Sequence, residues 1–283
     1  MKQLGQYPAP RHTVAHLSDP HLLARGVRQY GVIDTEAGLQ RALSRLAAID
    51  PVPQVLVFTG DLADRAEPDA YRRLREIVEP AAADLGAEVV WTMGNHDERE
   101  PYARGLFGEP GDRPQDRVHE VDGLRIVALD TSVPGYHHGT LEPEQLEWLA
   151  DVLSTPAPHG TLLAMHHPPV PLPMLPAAEL IELLDQDRLA AVVEGTDVRG
   201  ILSGHLHFST YSTFAGVPVS VAAPAATPPT RPRSTAWCRA STARRPSRWC
   251  TPTTTGWSTP SSRSPRARRS PQCRPTWCRS WRS

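Results

Sequence analysis

The sequence predicts an α/β fold, and three observations carry this prediction. Short apolar runs rich in Val, Leu, Ile and Thr recur between residues 13 and 223. Segments with apolar residues at helical spacing lie between many of these runs. Side chains that bind metals stand at or near the ends of five of the runs. Short continuous apolar runs are typical of buried strands, and their alternation with helices is typical of α/β proteins.

The predicted elements follow from these patterns in chain order. Eight apolar runs are expected to form strands: residues 13–17, 55–59, 89–93, 118–121, 124–129, 161–165, 200–203 and 217–223. The turn pair Asp122-Gly123 joins two of them in a hairpin. One helix is expected to begin at Asp34 or Thr35. Further helices are expected over 67–78, 142–153, 177–185 and 186–193, with helical structure extended over 81–85. Residues 99–117 are polar, with Gly and Pro, and are expected to be irregular or short helical.

Five short segments carry the side chains of interest. They are Asp19-Pro20-His21, Gly60-Asp61-Leu62-Ala63-Asp64, Gly94-Asn95-His96-Asp97, His166-His167-Pro168-Pro169 and Gly204-His205-Leu206-His207. Each alone is more simply explained as a turn or a structural histidine, since Gly-Asp after a strand usually forms a tight, capped turn. Together, at strand ends, their carboxylate oxygens and imidazoles predict a site for divalent cations. Cations would also relieve the repulsion between Asp19, Asp61 and Asp64.

The five segments match the pattern of the calcineurin-like metallophosphoesterases. Four further stretches resemble the class III cyclic-nucleotide phosphodiesterases, the mycobacterial one in particular: FTGDLAD at 58–64, LRIVALDTSVPGYHHG at 124–139, TPAPHG at 155–160 and GTDVR at 195–199. The resemblance covers about residues 10 to 223. It implies a four-layer sandwich, in which two mixed β-sheets pack together and helices flank them. The metal site is then expected at the strand ends.

The resemblance also implies a set of metal ligands for two divalent ions. One ion would be held by Asp19, His21 and His207, and the other by Asn95, His166 and His205, with Asp61 bridging both. A mixed centre of Fe with Mn or Zn is implied, and these donors suit Mn²⁺, Fe and Zn²⁺ alike.

Other site residues receive roles from the same resemblance. His96 would stabilise the transition state or protonate the leaving oxygen after a metal-bridging hydroxide attacks phosphorus. Asp64 would not bind metal itself but would orient a metal ligand through a contact with that ligand's side chain, and Asp97 would support His96 or its loop. His167 is expected to be structural or to lie behind the ligands. Substrate contacts are expected from Asn95, His96 and a histidine-rich loop, through His137 or His138, although solvated loop histidines explain the last two equally well.

The expected reaction is hydrolysis of 3′,5′-cyclic nucleotides, such as cyclic AMP, to 5′-nucleotides. The alternative is a broad phosphodiesterase acting on 2′,3′-cyclic nucleotides or glycerophosphodiesters. An alternative of another class is an inactive or metal-free scaffold, which intact ligand positions disfavour. A nuclease is disfavoured because residues before 224 carry 17 Lys and Arg against 31 Asp and Glu, and nucleic-acid binding relies on basic residues.

The composition changes after Ala223. Residues 224–283 contain thirteen Arg, all four Cys and no Asp, Glu, Lys, Leu, Ile or Val. Such a segment cannot bury enough apolar area to fold, so a disordered tail is expected. It is either a basic arm for an acidic partner or membrane surface, or the product of an out-of-frame reading that leaves the domain incomplete. The predicted organisation is an extension at 1–12, a catalytic domain at 13–223 and the tail at 224–283.

The N-terminus has no apolar core of a signal peptide, and no run approaches the ~20 apolar residues that span a bilayer. A cytoplasmic enzyme is therefore expected. The resemblance implies a homodimer, which the sequence leaves open for this chain.

Overall fold

A computed structural model describes residues 9–170 and 180–225, and these residues belong to one compact unit of the chain. Most of the predicted extension at 1–12 and nearly all of the predicted tail at 224–283 therefore lie outside the described residues. Within the described ranges, no helix is long and apolar enough to cross a membrane.

The described residues form nine strands and five helices. The strands are β1 (Val14–Leu17), β2 (Val55–Thr59), β3 (Glu88–Thr92), β4 (Arg117–Val121), β5 (Leu124–Leu129), β6 (Thr161–Met165), β7 (Val198–Ser203), β8 (Thr210–Phe214) and β9 (Val217–Val221). The helices are α1 (Thr35–Leu46), α2 (Pro68–Leu85), α3 (Arg99–Phe107), α4 (Pro143–Leu153) and α5 (Gln186–Val193). The predicted strands are all present, within one or two residues of their expected bounds.

The strands form two sheets, as predicted. The smaller has the order β1-β2-β3 and the larger the order β4-β5-β6-β7-β9-β8. In the larger sheet, β5, β6, β7 and β9 pair in parallel, while β4 and β8 pair antiparallel with their neighbours. The expectation that both sheets are mixed holds for this sheet alone. In the described residues the smaller sheet is purely parallel, because α1 and α2 each carry the chain back across it before the next strand.

Three apolar layers hold the sandwich together. One joins the smaller sheet to α1, α2 and α3, where Leu39, Tyr71 and Tyr102 are fully buried. A second lies between the sheets and includes Val57 and Ile126. A third joins the larger sheet to α4 and α5. The order helix, sheet, sheet, helix is therefore the four-layer arrangement that was expected.

The helices differ from the prediction in two places. Helix α2 runs without interruption to Leu85 through Pro80, whereas a helix over 67–78 followed by further helical structure over 81–85 was expected. Pro80 is exposed, so the carbonyl that loses its intrahelical donor can be hydrated instead. Residues 99–107 form a short helix, α3, which is one of the two alternatives expected for 99–117. The predicted helix at 177–185 contains no α-helix in its described part, residues 180–185.

The start of α1 is capped by Asp34, one of the two candidate residues. Its side chain accepts a hydrogen bond from the Ala37 amide at 2.9 Å.

Strand β8 was not predicted, because its sequence TYSTF is largely polar and its side chains are mostly exposed. It lies at one edge of the larger sheet in the described part of the chain.

Candidate metal centre

All five predicted segments lie at the carboxyl ends of parallel strands, after β1, β2, β3, β6 and β7. Ligands in open α/β sheets typically bind beyond these ends. Backbone hydrogen bonds join the loops that follow the strands. The Asp19 amide donates to the Gly60 carbonyl at 3.1 Å, and the Gly204 amide donates to the His166 carbonyl at 3.0 Å. The His205 amide donates to Oδ1 of Asp19 at 3.2 Å, so loops from both sheets meet in one place.

The backbone of the predicted ligands is strained. Five of the seven adopt positive φ although they are not glycine: Asp19 at 50°, His21 at 42°, Asp61 at 49°, His205 at 69° and His207 at 57°. Each such residue costs on the order of 1–3 kcal/mol, and strain of this kind concentrates at functional sites. The fold thus holds these side chains in positions that an isolated loop would not adopt.

A first group of donor atoms comes from Asp19, His21, Asp61 and His207, which lie within 4.8 Å of one another. Nε2 of His207 is 3.3 Å from Oδ1 of Asp19, and Nε2 of His21 is 3.5 Å from Oδ2 of Asp61. The two imidazole Nε2 atoms are 3.1 Å apart. Two carboxylates and two imidazoles at this spacing are suited to one divalent cation.

A second group surrounds Nε2 of His166. It lies 3.1 Å from Oδ1 of Asn95, 3.1 Å from Nδ1 of His205 and 3.4 Å from Oδ1 of Asp61. The opposite ring nitrogens donate to backbone carbonyls, His166 Nδ1 to Thr59 at 2.7 Å and His205 Nε2 to Ile181 at 2.9 Å. These bonds leave lone pairs on the two nitrogens that face each other, which is the tautomer of a metal-ligating histidine.

Asp61 is the carboxylate between the two groups. Its Oδ2 faces His21 and its Oδ1 faces His166. Its buried side chain also accepts a hydrogen bond from the His96 amide at 2.9 Å. The residue predicted to bridge two metals therefore touches a donor from each group.

His167 also lies close enough to His166 and His205 to join a metal-binding group. Both of its ring nitrogens are already engaged, however. Nδ1 is 2.8 Å from the Thr131 hydroxyl, and Nε2 is 3.2 Å from the His137 carbonyl. Because a histidine offers only two nitrogens, Asn95 suits the second group better than His167 does.

Asp64 and Asp97 stand behind the donor groups. Oδ1 of Asp64 is 3.3 Å from Nδ1 of His21 and accepts a hydrogen bond from Gln29 at 2.8 Å. A carboxylate placed against the far nitrogen of a ligating histidine fixes the ring orientation. Asp97 is buried and accepts hydrogen bonds from four donors, the amides of Leu62, Ala63 and Gly94 and the hydroxyl of Tyr71. It joins the loops that follow β2 and β3.

The predicted acid, His96, lies at the border of both groups. Its Nδ1 donates to the Asp64 carbonyl at 2.9 Å, so Nε2 is the nitrogen through which it can hand a proton to a substrate. Its ring packs edge-on against His21, with centroids 4.9 Å apart. Of the two candidate substrate histidines, His137 lies 3.1 Å from the Asn95 amide nitrogen, whereas His138 packs against Tyr136.

The carboxylates shift the pKa values of the histidines. Burial opposes protonation of His166, but the charges of Asp61 and Asp19 outweigh it and raise its pKa to about 9. Burial, assisted by the charge on His166, lowers the pKa of His205 to about 3. Burial alone would raise the pKa of Asp61, yet the positive charge of His166 holds it well below its usual value. The site thus has a strong demand for positive charge, which a cation satisfies.

Several residues that hold the ligands were not predicted from the sequence. Thr59 accepts from His166 through its carbonyl, and its hydroxyl donates to Ser18 at 2.8 Å. His16 in turn lies 2.9 Å from that hydroxyl. The one available signal was a polar residue at the end of an apolar strand, immediately before Gly60.

The comparisons with known proteins agree with this geometry. The family model described as calcineurin-like phosphoesterase matches residues 12–209. The chain belongs to this family. It is 52% identical over 219 residues to a probable cyclic nucleotide phosphodiesterase of Rhodococcus erythropolis, which covers 77% of this chain and 72% of that protein. It is 53% identical over the same length to a cAMP/cGMP dual specificity phosphodiesterase of Mycobacterium tuberculosis, with 77% and 69% covered.

A solved structure shares the fold. The dimetal phosphatase of Danio rerio superposes with a TM-score of 0.58 at 17% identity, covering 78% of this chain and 90% of that one. The protein is therefore a metallophosphoesterase with the family's two-sheet architecture.

Proposed function

We propose that the protein hydrolyses 3′,5′-cyclic nucleotides, including cyclic AMP, to 5′-nucleotides at a site for two divalent metal ions. The observation that carries the two-metal site is the position of Asp61, whose two oxygens face different donor groups at 3.5 and 3.4 Å. The cyclic nucleotide is supported by the relatives from Rhodococcus and Mycobacterium, which match most of the chain at 52% and 53% identity.

The donor sets suit the proposed ions. Asp19, His21 and His207 would hold one ion and Asn95, His166 and His205 the other, with Asp61 shared between them. Mn²⁺, Fe and Zn²⁺ all fit mixed imidazole and oxygen donors. When bound, two such ions neutralise charge on the phosphoryl oxygens and lower the pKa of a bound water towards ~7.

The chain's own residues orient the substrate and move the proton. The Asn95 carbonyl oxygen faces His166, so its amide nitrogen points away from that donor group. The amide nitrogen lies 3.1 Å from Nδ1 of His137, which helps to hold it and leaves its second hydrogen for a phosphoryl oxygen. His96, with Nδ1 bonded to the Asp64 carbonyl, presents Nε2 to the leaving oxygen and protonates it as the ester bond breaks.

The charge of the chain restricts the substrate. Residues 1–223 carry more acidic than basic side chains, by 31 to 17. Long nucleic acids bind through many Lys and Arg contacts to phosphates, so this surface disfavours them. A small substrate with one phosphodiester remains compatible with it.

The proposal is tested by measuring kcat/KM with Mn²⁺ for 3′,5′-cyclic AMP, 2′,3′-cyclic AMP and bis(p-nitrophenyl) phosphate. We expect turnover of 3′,5′-cyclic AMP at least comparable to the other two, and its loss in Asn95→Ala. Activity confined to the other two substrates would contradict the proposal and indicate a broad phosphodiesterase. Absence of all activity in folded, metal-loaded protein would favour an inactive scaffold.

A further inference from the structure

A cleft of about 470 Å³ opens beside the candidate catalytic residues Asn95 and His96. One wall is formed by the start of α3, around Glu98 and Pro101, together with Asp112. The other wall is the loop after β5, residues 132–135. Its volume is in the range of small-molecule sites.

The charged groups of the cleft determine what it can hold. Among the described residues that line it, Arg99 is the one Arg or Lys side chain. It is only 15% exposed and donates hydrogen bonds to Asp130 at 2.9 Å and to the Ser132 carbonyl at 3.4 Å. The carboxylates of Glu98 and Asp112 are exposed. Phosphate sites rely on available Arg or Lys side chains, so this cleft repels a phosphate.

An uncharged group with hydrogen-bond donors suits the same walls. Carboxylates accept hydrogen bonds from amino and hydroxyl groups. Pro101, Val133 and Pro134 provide apolar surface for a planar ring. The nucleoside part of a 3′,5′-cyclic nucleotide such as cyclic AMP has all three features, namely an exocyclic amino group, a free 2′-hydroxyl and an aromatic base.

We infer that this cleft holds the nucleoside of the cyclic nucleotide while its phosphate lies at the metal centre. The inference rests on the proposed function, since it assigns the part of that substrate that the metal ligands do not contact. In this position, the cleft walls around Val133 and Asp112 determine which nucleoside is accepted. The carboxylates of Glu98 and Asp112 would repel a nucleotide that carries a second phosphate on the part bound in the cleft.

The test fills the cleft from each wall in turn, with Val133→Trp and Asp112→Trp in the full chain. The matched control is Val52→Trp, because Val52 is 46% exposed and lies before β2, at the end of the strand away from the site. Each variant is assayed with cyclic AMP and with methyl 4-nitrophenyl phosphate, a diester without a nucleoside. We expect the ratio of the two kcat/KM values to fall by about tenfold or more in both cleft variants, and to stay constant in the control.

Product inhibition gives a second readout that does not need cyclic AMP turnover. With methyl 4-nitrophenyl phosphate as reporter, the inhibition constants of 5′-AMP and inorganic phosphate are compared. The advantage of 5′-AMP over phosphate should disappear when the cleft is filled, because only 5′-AMP has a nucleoside. An unchanged advantage, or an equal fall for both substrates, would overturn the inference. Wild-type protein that hydrolyses only the methyl ester would overturn the proposed function instead, while the inhibition constants would still report on the cleft.

Discussion

At the scale of single residues, the site depends on histidines in which a hydrogen bond to the backbone occupies one ring nitrogen and leaves the other available. His166, His205 and His96 each use one ring nitrogen to donate to a carbonyl, of Thr59, Ile181 and Asp64 respectively. The remaining nitrogen of each ring then points to where a metal or a substrate would lie. Tautomer and orientation are fixed together, so the roles of these histidines differ although their chemistry is the same.

The role of His96 is tested by His96→Ala. Because its Nδ1 is bonded to a carbonyl and Nε2 is the catalytic candidate, we expect metal content to be retained and kcat to fall about 10²–10⁴-fold. Metal content is measured by plasma mass spectrometry beside kcat for cyclic AMP. Loss of metal from this variant would mean that His96 is a ligand and not the acid.

The role of Asp64 is tested by Asp64→Asn. Its Oδ1 lies 3.3 Å from Nδ1 of His21 and orients that ring, so we expect Mn²⁺ affinity to fall about 10–100-fold. Isothermal titration of metal-free protein measures the affinity directly. Asp84→Asn, a change at an exposed residue of α2, is the control and should leave the affinity unaltered. Equal affinities in all three proteins would rule out this positioning role.

At the scale of elements, the site requires that loops after neighbouring strands approach very closely. A side-chain carbon on Gly94 would lie 2.3 Å from both the amide nitrogen and Oδ1 of Asp61. One on Gly60, which has φ of +93°, would lie 2.4 Å from Nδ1 of His166. These two glycines are therefore needed for space as well as for backbone conformation.

Gly94→Ala is expected to separate the loops that follow β2 and β3. Since the nearest atoms belong to backbone and to a buried carboxylate, the cost should reach about 3 kcal/mol and metal binding should be lost. Gly200→Ala is the matched control, because its nearest neighbour is the flexible end of Leu162 at 3.3 Å. Urea denaturation with metal titration compares the two. Similar stability and affinity in both variants would contradict the proposed close packing.

Asp116 links three elements and predicts a pH dependence of stability. It accepts hydrogen bonds from the Asp130 amide, after β5, and from Gln145 of α4. Burial raises its pKa to about 6, above the ~3.9 of an unfolded chain. A group with a raised folded pKa contributes stability that is fully present below about pH 4 and is lost as the pH rises through about 6.

The measurement is urea denaturation of metal-free protein between pH 4 and 7. We expect the free energy of unfolding of the wild type, relative to Asp116→Asn, to decrease as the pH rises across this range. Asp151→Asn, an exposed change on α4, should show no comparable trend. A difference that stays constant or grows with pH would exclude Asp116 as the source.

At the scale of the whole molecule, the three apolar layers hold the two halves of the site against each other. Asp19 and Asp61 come from the smaller sheet, whereas His166 and His205 come from the larger one. The layer between the sheets, with Val57 and Ile126, is fully buried. The distances within the site are therefore set by packing far from the donor atoms.

Truncation tests whether residues 13–223 form the catalytic domain. A chain ended at Arg231 keeps every described strand, so we expect its kcat/KM and Mn²⁺ affinity to match those of the full chain. A chain ended at Ala215 lacks β9, whose Val217, Val219 and Val221 are buried in the core, and should aggregate or unfold. Circular dichroism and activity are measured together. Inactivity of the longer chain would show that residues after 231 are required.

Much of this architecture was predictable from the sequence, for a local reason. The strands before Asp61 and His166 are continuous apolar runs with nearly every residue buried, so their positions and their polar ends are visible without any tertiary information. Strand β8 was missed because its exposed, polar sequence has no such pattern. The helix over 67–78 was expected to end before Pro80, because proline is locally unfavourable inside a helix, and the fold tolerates Pro80 at an exposed position.

The sequence alone specifies which residue types reach the site and in which order, since each segment encodes its own strand and turn. Which atoms face one another is set by the three-dimensional packing. The contacts of His205 with Asp19, 186 residues away, and of His166 with Asn95, 71 residues away, exist because two sheets pack with their carboxyl ends on one side. The distinction between His166 and His167, adjacent in the chain, rests on such distant partners, as does the cleft beside His96. Local pattern selects elements, whereas the packing of distant elements sets distances, tautomers and pKa values.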